Sequence, residues 1–275
     1  MTDTNAKIRE HYSATGLLDR IKPVLAAIAP ESQTLTVAQL APLDQFHLRG
    51  ILATSELARA AGIEPSTRVL DLGCGIGGPA RYLAATFGCK VTGVDLSPGF
   101  IDAANYLTAR CGLSELVTFQ TGDAVHLPFE DAAFDAVFLQ HVAMNIEDRA
   151  ALYAEVRRIL APGGRLATYD LVAGDGEVVY PVPWARDVST SFLLSEAETR
   201  TALEQAGFRA DLWIDDTDPV LDWFKALMAS PPASGPTLGV VMGADFQVKT
   251  ANLARNLREN RLGVLSAVLT IPRLP

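Results

Sequence analysis

The sequence has no cluster of basic residues. Lys and Arg number 23 against 32 Asp and Glu in 275 residues, which leaves a formal charge of −9 and a pI near 4.9. Phosphate backbones are gripped by grouped Lys and Arg, so a nucleic-acid partner is not expected. Cysteine is scarce as well. Cys74, Cys89 and Cys111 are odd in number and lack metal-ligand spacing, which excludes a disulfide scaffold and suits a reducing cytoplasm. Apolar runs such as Val24 to Ala29 are short beside the roughly 20 residues that a membrane-crossing helix needs. The first residues, Met1 to Lys7, are polar and mixed in charge, unlike a secretory leader. No repeat and no low-complexity tract interrupts the chain. The expectation is a cytoplasmic protein with no membrane partner. Hydrophobic residues make up 49%, enough for one large α/β core with additions.

One stretch organises the rest. Arg68-Val69-Leu70-Asp71-Leu72 is an apolar run that breaks into Gly73-Cys74-Gly75-Ile76-Gly77-Gly78-Pro79. Ala80, Leu83, Ala84 and Phe87 then recur at i, i+3, i+4 and i+7, one face of a helix. The pattern is strand, glycine turn, helix N-terminus. Glycines let a ligand approach bare backbone, and the helix start offers unpaired N–H groups and the positive end of its dipole. Something negative is expected there, a nucleotide or a carboxylate.

Gly73, Gly75 and Gly78 also satisfy G-x-G-x-x-G, with Asp95 about twenty residues on, so a nicotinamide-dependent oxidoreductase shares this signal. Two details favour another cofactor. Asp71 lies two residues before the first glycine, giving Asp-x-Gly-x-Gly-x-Gly, and no Tyr-x-x-x-Lys pair occurs in the chain. With Leu70 to Gly77 as it stands, the stretch resembles the first motif of class I S-adenosylmethionine (SAM) methyltransferases.

Later segments extend the resemblance. Lys90 to Asp95 reads as a second strand ending in an acid, either a ribose-binding carboxylate or a helix cap ahead of Pro98. Leu116 to Thr121 leads into Gly122-Asp123-Ala124, where the family uses an acid for the adenine amino group. Phe134 to Leu139 is a fourth strand, and Arg165 to Leu171 a fifth after Pro162-Gly163-Gly164. The resemblance assigns Asp71, Gly73, Cys74, Gly75, Gly77, Asp95, Leu96, Gly122, Asp123, Ala124 and Gln140 to SAM, with S-adenosylhomocysteine as product.

The reaction zone is Gln140-His141-Val142-Ala143-Met144-Asn145. Sarcosine/dimethylglycine, phosphoethanolamine and certain sugar O-methyltransferases place an acid early in this loop and a histidine four residues later. Here His141 stands at the acid's place and Asn145 at the histidine's, and these two are the catalytic candidates. An amide takes no proton at neutral pH, whereas an amine acceptor needs no base, so the departure leans slightly towards a nitrogen acceptor over an oxygen. Met144 lies in the same loop. Tyr12, His47, Asp170, Tyr180 and Trp184 are the acceptor-binding candidates, each with ordinary packing as its alternative reading.

The expected fold is α/β, a doubly wound Rossmann-like sheet of seven mostly parallel strands with an antiparallel last strand. Residues 1–67 form an N-terminal helical cap region and 68–217 the SAM-binding core. Residues 218–261 are a helical insertion over the acceptor, and 262–275 return to the sheet. The expected activity is methyl transfer to a small molecule; a non-catalytic SAM-binding module is the further alternative.

Overall fold

The computed structural model describes residues 16–229 and 237–272. Its sheet grows outward from β1 (Arg68–Leu72), which pairs in parallel with β2 (Lys90–Asp95) on one side and β4 (Phe134–Gln140) on the other. β3 (Val117–Thr121) extends the first side. β5 (Leu160–Ala173), β7 (Leu262–Thr270) and β6 (Arg209–Asp215) extend the second, giving the order 3-2-1-4-5-7-6. β7 runs antiparallel to both neighbours, so the last strand of the chain slots between β5 and β6. This is the expected sheet. The fifth strand is longer than its sequence pattern predicts, because the Pro162-Gly163-Gly164 segment stays within the strand's span.

Side-chain alternation along the strands sorts two cores. Val69, Val91, Phe138, Tyr169 and Val264 face α3 (Ile51–Ala60) and α4 (Gly78–Phe87), together with residues from the segment between β6 and β7. Leu70, Leu72, Val137 and Leu139 face the opposite way, against α6 (Arg149–Ile159) and α7 (Glu196–Gln205). A third cluster joins α1 (Leu17–Ala26) and α2 (Val37–Asp44) to α5 (Pro98–Arg110). There Leu17, Ile21 and Leu25 are buried, each worth about 1.5–3 kcal/mol. Between β6 and β7 come α8 (Thr217–Ala229), α9 (Gly239–Met242) and α10 (Phe246–Arg258).

Pro23 sits inside α1. Leu48 lies ahead of α3: Arg49 and Gly50 take φ of 59° and 48°, and the helix begins only at Ile51. Its buried residues include Ala53, Thr54, Leu57 and Ala58, and Leu52 is 48% exposed.

A buried ion pair fastens the N-terminal region to the sheet. Arg81 of α4 donates from Nη2 to Asp44 Oδ2 and to the Ile76 carbonyl, both at 2.8 Å, and from Nη1 to Thr108 Oγ1 at 3.1 Å. Both charged side chains are fully buried. Removing one partner of such a pair strands the other charge, at about 3–5 kcal/mol. Asp44→Ala is therefore expected to lower the unfolding free energy by that amount in urea titrations. Asp135→Ala, which breaks the exposed Arg68–Asp135 pair, should cost under about 1 kcal/mol.

Candidate functional site

β1 ends in the glycine turn, and the turn fixes where a ligand can approach. Gly73 and Cys74 donate their N–H groups to the Val94 carbonyl, tying the turn to β2. Gly75 has φ of 52°, and a Cβ there would lie 3.1 Å from the Phe46 ring. A Cβ on Gly78 would sit 2.1 Å from the Asp44 carbonyl oxygen, so the N-terminal region is seated directly on the start of α4.

A cavity opens at the C-terminal ends of β1, β2, β3 and β4, beside the point where strand order reverses between β1 and β4. Ligands of open α/β sheets bind at such a switch point. Of the residues expected at the cofactor, Gly73, Gly75, Asp95, Leu96, Gly122, Asp123, Ala124 and Gln140 line it. Asp71, Cys74 and Gly77 are not in the lining. Alternation turns Asp71 to the same face as Val69, beneath α4, where its carboxylate accepts the Ala80 N–H. Burial pushes its pKa up to about 7. Its place is under the turn, holding the helix start. Cys74 is buried nearby, and burial raises its thiol's pKa.

Asp95 spans the turn and the next helix. Its Oδ2 accepts the Gly75 N–H and its Oδ1 the Ser97 N–H, each at 2.9 Å. The N-cap of α5 is Ser97, whose Oγ accepts from Phe100, so the capping alternative for Asp95 falls to its neighbour. Burial pushes the Asp95 carboxyl up to about 6. Asp123 follows β3, with Oδ1 accepting the Val125 N–H at 3.2 Å. Two carboxylates thus stand along adjacent strand ends, with a backbone cradle between β1 and α4. The family resemblance assigns those groups to the ribose, adenine amino and amino-acid portions of SAM respectively.

The loop after β4 is more constrained than its sequence suggests. His141 has φ of 54° and stacks on Tyr169 at 5.7 Å with an interplanar angle of 4°. His47 meets both rings edge-on, at 6.3 Å and 6.1 Å. His47 Nε2 lies 2.9 Å from the Gly50 carbonyl and from Thr54 Oγ1, and Thr54 in turn bonds Gln140. Burial brings the His47 pKa down to about 4, and burial with His47 nearby holds His141 well below its ordinary value. Both imidazoles are neutral at pH 7.

Several candidates have other duties. Asn145 lines the cavity, but its amide donates to the Trp184 and Thr190 carbonyls at 3.0 Å and 2.8 Å, tethering the 184–190 segment. Asp170 is absent from the lining. It lies on the opposite face of β5 from Tyr169 and accepts the Ala143 and Leu171 N–H groups, fixing the loop that carries His141. Burial raises its pKa to about 6. Tyr180 packs against the core instead of the cavity, whereas His47, Met144 and Trp184 line it. Tyr12 lies outside the described residues.

Sequence reasoning expected an insertion over the acceptor but named none of its apolar side chains. Trp223, Phe224, Met242, Phe246 and Leu253 of α8 to α10, with Leu238 just before α9, wall the cavity beyond the strand edge. The available signal was paired aromatics within the segment 218–261. Among the described residues no Lys or Arg lines the cavity, and Asp95 and Asp123, both at the strand edge, are the acids in its lining.

The ribose role expected of Asp95 requires the ionised carboxylate. Its folded pKa near 6 places the competent form above that pH and the protonated form below it. Affinity for S-adenosylhomocysteine is expected to fall as pH drops through 6. Asp95→Asn should weaken binding about 10- to 100-fold at pH 7.5 and flatten that profile in calorimetry.

Comparison with known proteins agrees with this geometry. Residues 70–168 match a family model described as a methyltransferase domain. The chain is 30% identical over 182 residues to sterol 24-C-methyltransferase of Schizosaccharomyces pombe, covering 62% of this chain and 48% of that protein. It spans about half the length of the curated relatives it matches. Geranyl diphosphate C-methyltransferase of Streptomyces coelicolor superposes with a TM-score of 0.65 at 20% identity, covering 80% of this chain and 79% of that one. The 4+2 cyclase SpnF superposes with a TM-score of 0.66 at 21% identity over 94% of each chain. Those two likenesses establish the fold. Residues 70–168 thus match a methyltransferase domain, and the strand order gives the sheet the fold of the methyltransferases it superposes on.

Proposed function

We propose that the protein is an enzyme that methylates an uncharged, largely apolar small molecule. The cavity carries this reading: beyond the strand edge its wall is aromatic and aliphatic, with no Lys or Arg among the described residues of the lining. A phosphate or carboxylate on the acceptor would meet no cation among the described lining residues. A protonated amine would meet no acid among those that α8 to α10 contribute. The slight lean towards nitrogen, drawn from Asn145 alone, gains no support from this wall. The similar sterol and tocopherol methyltransferases are named for apolar acceptors of the same character. A diphosphate acceptor, such as the Streptomyces coelicolor enzyme is named for, suits the described lining poorly.

When bound, SAM supplies a methyl group already activated on a sulfonium. The residues of this chain supply alignment and dryness. Asp95, Asp123 and the Gly73–Gly75 backbone fix the donor end, and Trp184 with the α8–α10 wall fixes the acceptor and excludes water. A dehydrogenase would share the glycine turn and Asp95 but accounts for neither the antiparallel β7 nor the matched domain. A module that binds SAM without turnover, or a cyclase-like use of the same fold, is separated from this reading by activity.

Incubation with methyl-labelled SAM and a mixed acceptor panel makes that separation. The panel holds a sterol, an isoprenoid alcohol, geranyl diphosphate and phosphoethanolamine. Label should appear in neutral, solvent-extractable product. Transfer only to the diphosphate or to phosphoethanolamine would refute an uncharged acceptor.

A further inference from the structure

The two ring nitrogens of His141 have different surroundings. Nε2 is sealed from solvent with no hydrogen-bond partner among the described residues. The ring nevertheless lines the cavity and is partly exposed, and Nδ1 is not among the sealed, unpaired atoms. Nδ1 is therefore the nitrogen that cavity contents reach. A neutral imidazole carries one N–H. Placing it on Nε2 would bury an unpaired donor, which proteins avoid more strictly than a buried lone pair. The proton belongs on Nδ1.

The ring is also held in place. It stacks on Tyr169, whose hydroxyl donates to Asp216 Oδ2 at 2.7 Å, and Arg49 donates to the same oxygen at 2.7 Å. Asp216 directly precedes α8, the helix that brings Trp223 and Phe224 to the cavity. The donor and the apolar wall are thus set by one connected group.

We infer that the Nδ1–H of His141 is a hydrogen-bond donor for an oxygen of the acceptor, held at the boundary between the strand edge and the apolar wall. This rests on the uncharged, apolar acceptor proposed above and narrows it: the acceptor carries a carbonyl or hydroxyl oxygen close to the methyl-transfer end. A donated hydrogen bond draws electron density from its oxygen. The oxygen that His141 binds is therefore an orienting group, and the methyl goes to a different atom. In this role His141 is a donor, not the general base.

The test uses the protein saturated with S-adenosylhomocysteine and two probes of similar shape, 2-acetylnaphthalene and 2-isopropylnaphthalene. Their affinities are read from tryptophan fluorescence, and the ratio between them is compared across variants. Asn presents its amide N–H near the place of Nδ1 and tolerates the positive φ of this position; Gln reaches only towards Nε2. His141→Asn should keep the wild-type preference for the acetyl probe. His141→Phe and His141→Gln should each lose about fivefold of it, the worth of one net hydrogen bond. Affinity for S-adenosylhomocysteine should stay within about twofold in all three variants, which also reports their folding.

An unchanged ratio in His141→Phe, with both probes bound, would overturn the inference and leave the apolar acceptor standing. Retention by Gln and loss by Asn would overturn the Nδ1 assignment. A tenfold loss of S-adenosylhomocysteine affinity with an unchanged ratio would move His141 to the cofactor. Failure of either naphthalene to bind would overturn this inference and the apolar acceptor together.

Discussion

The Arg81–Asp44 pair is the constraint on which the site depends. It is fully buried, and its guanidinium also reaches the Ile76 carbonyl within the glycine turn and Thr108 of α5. One side chain thus connects the N-terminal helices, the turn and two helices of the core. Charges so placed hold their geometry because any displacement leaves a desolvated charge without its partner. The consequences follow along the chain from Asp44. Its carbonyl rests on Gly78, Phe46 covers Gly75, and His47 reaches Thr54 and through it Gln140. The N-terminal region is therefore part of the site's wall.

The cavity divides its chemistry by origin. Its polar edge comes from the ends of β1 to β4, where parallel strands present Gly73, Asp95, Asp123 and Gln140. Its apolar wall comes from α8 to α10, inserted before β7. Such a division lets the donor site stay fixed while the acceptor wall changes with the insertion. Asp216 links the two parts, because it accepts from Tyr169 beneath His141 and leads directly into α8.

What was legible in the sequence was local. β1, the glycine turn and α4 follow from residues adjacent in the chain, and β2 could be bounded at Lys90 and Asp95 because an apolar run ends there in an acid. The antiparallel β7 came from the family resemblance. Less legible were side chains whose task is set by contacts remote in sequence. Asp71 is three residues from β1's start, yet only strand alternation and the arrival of α4 place it under the turn. Asn145 sits in the reaction loop, but its donors are claimed by carbonyls 39 and 45 residues away. The stack of His141 on Tyr169 joins two strand ends that no spacing rule connects. The apolar wall was foreseen only as an insertion, since the order in which its helices meet the cavity is decided by tertiary packing.

The central claim is that the glycine turn and the two strand-end acids bind a SAM-type nucleoside. Calorimetric titration of the full chain with S-adenosylhomocysteine, with NADH as the parallel ligand, tests it most directly. Micromolar binding of the first and none of the second is the predicted result. No heat with S-adenosylhomocysteine, in protein shown to be folded and free of copurified ligand, would contradict the account.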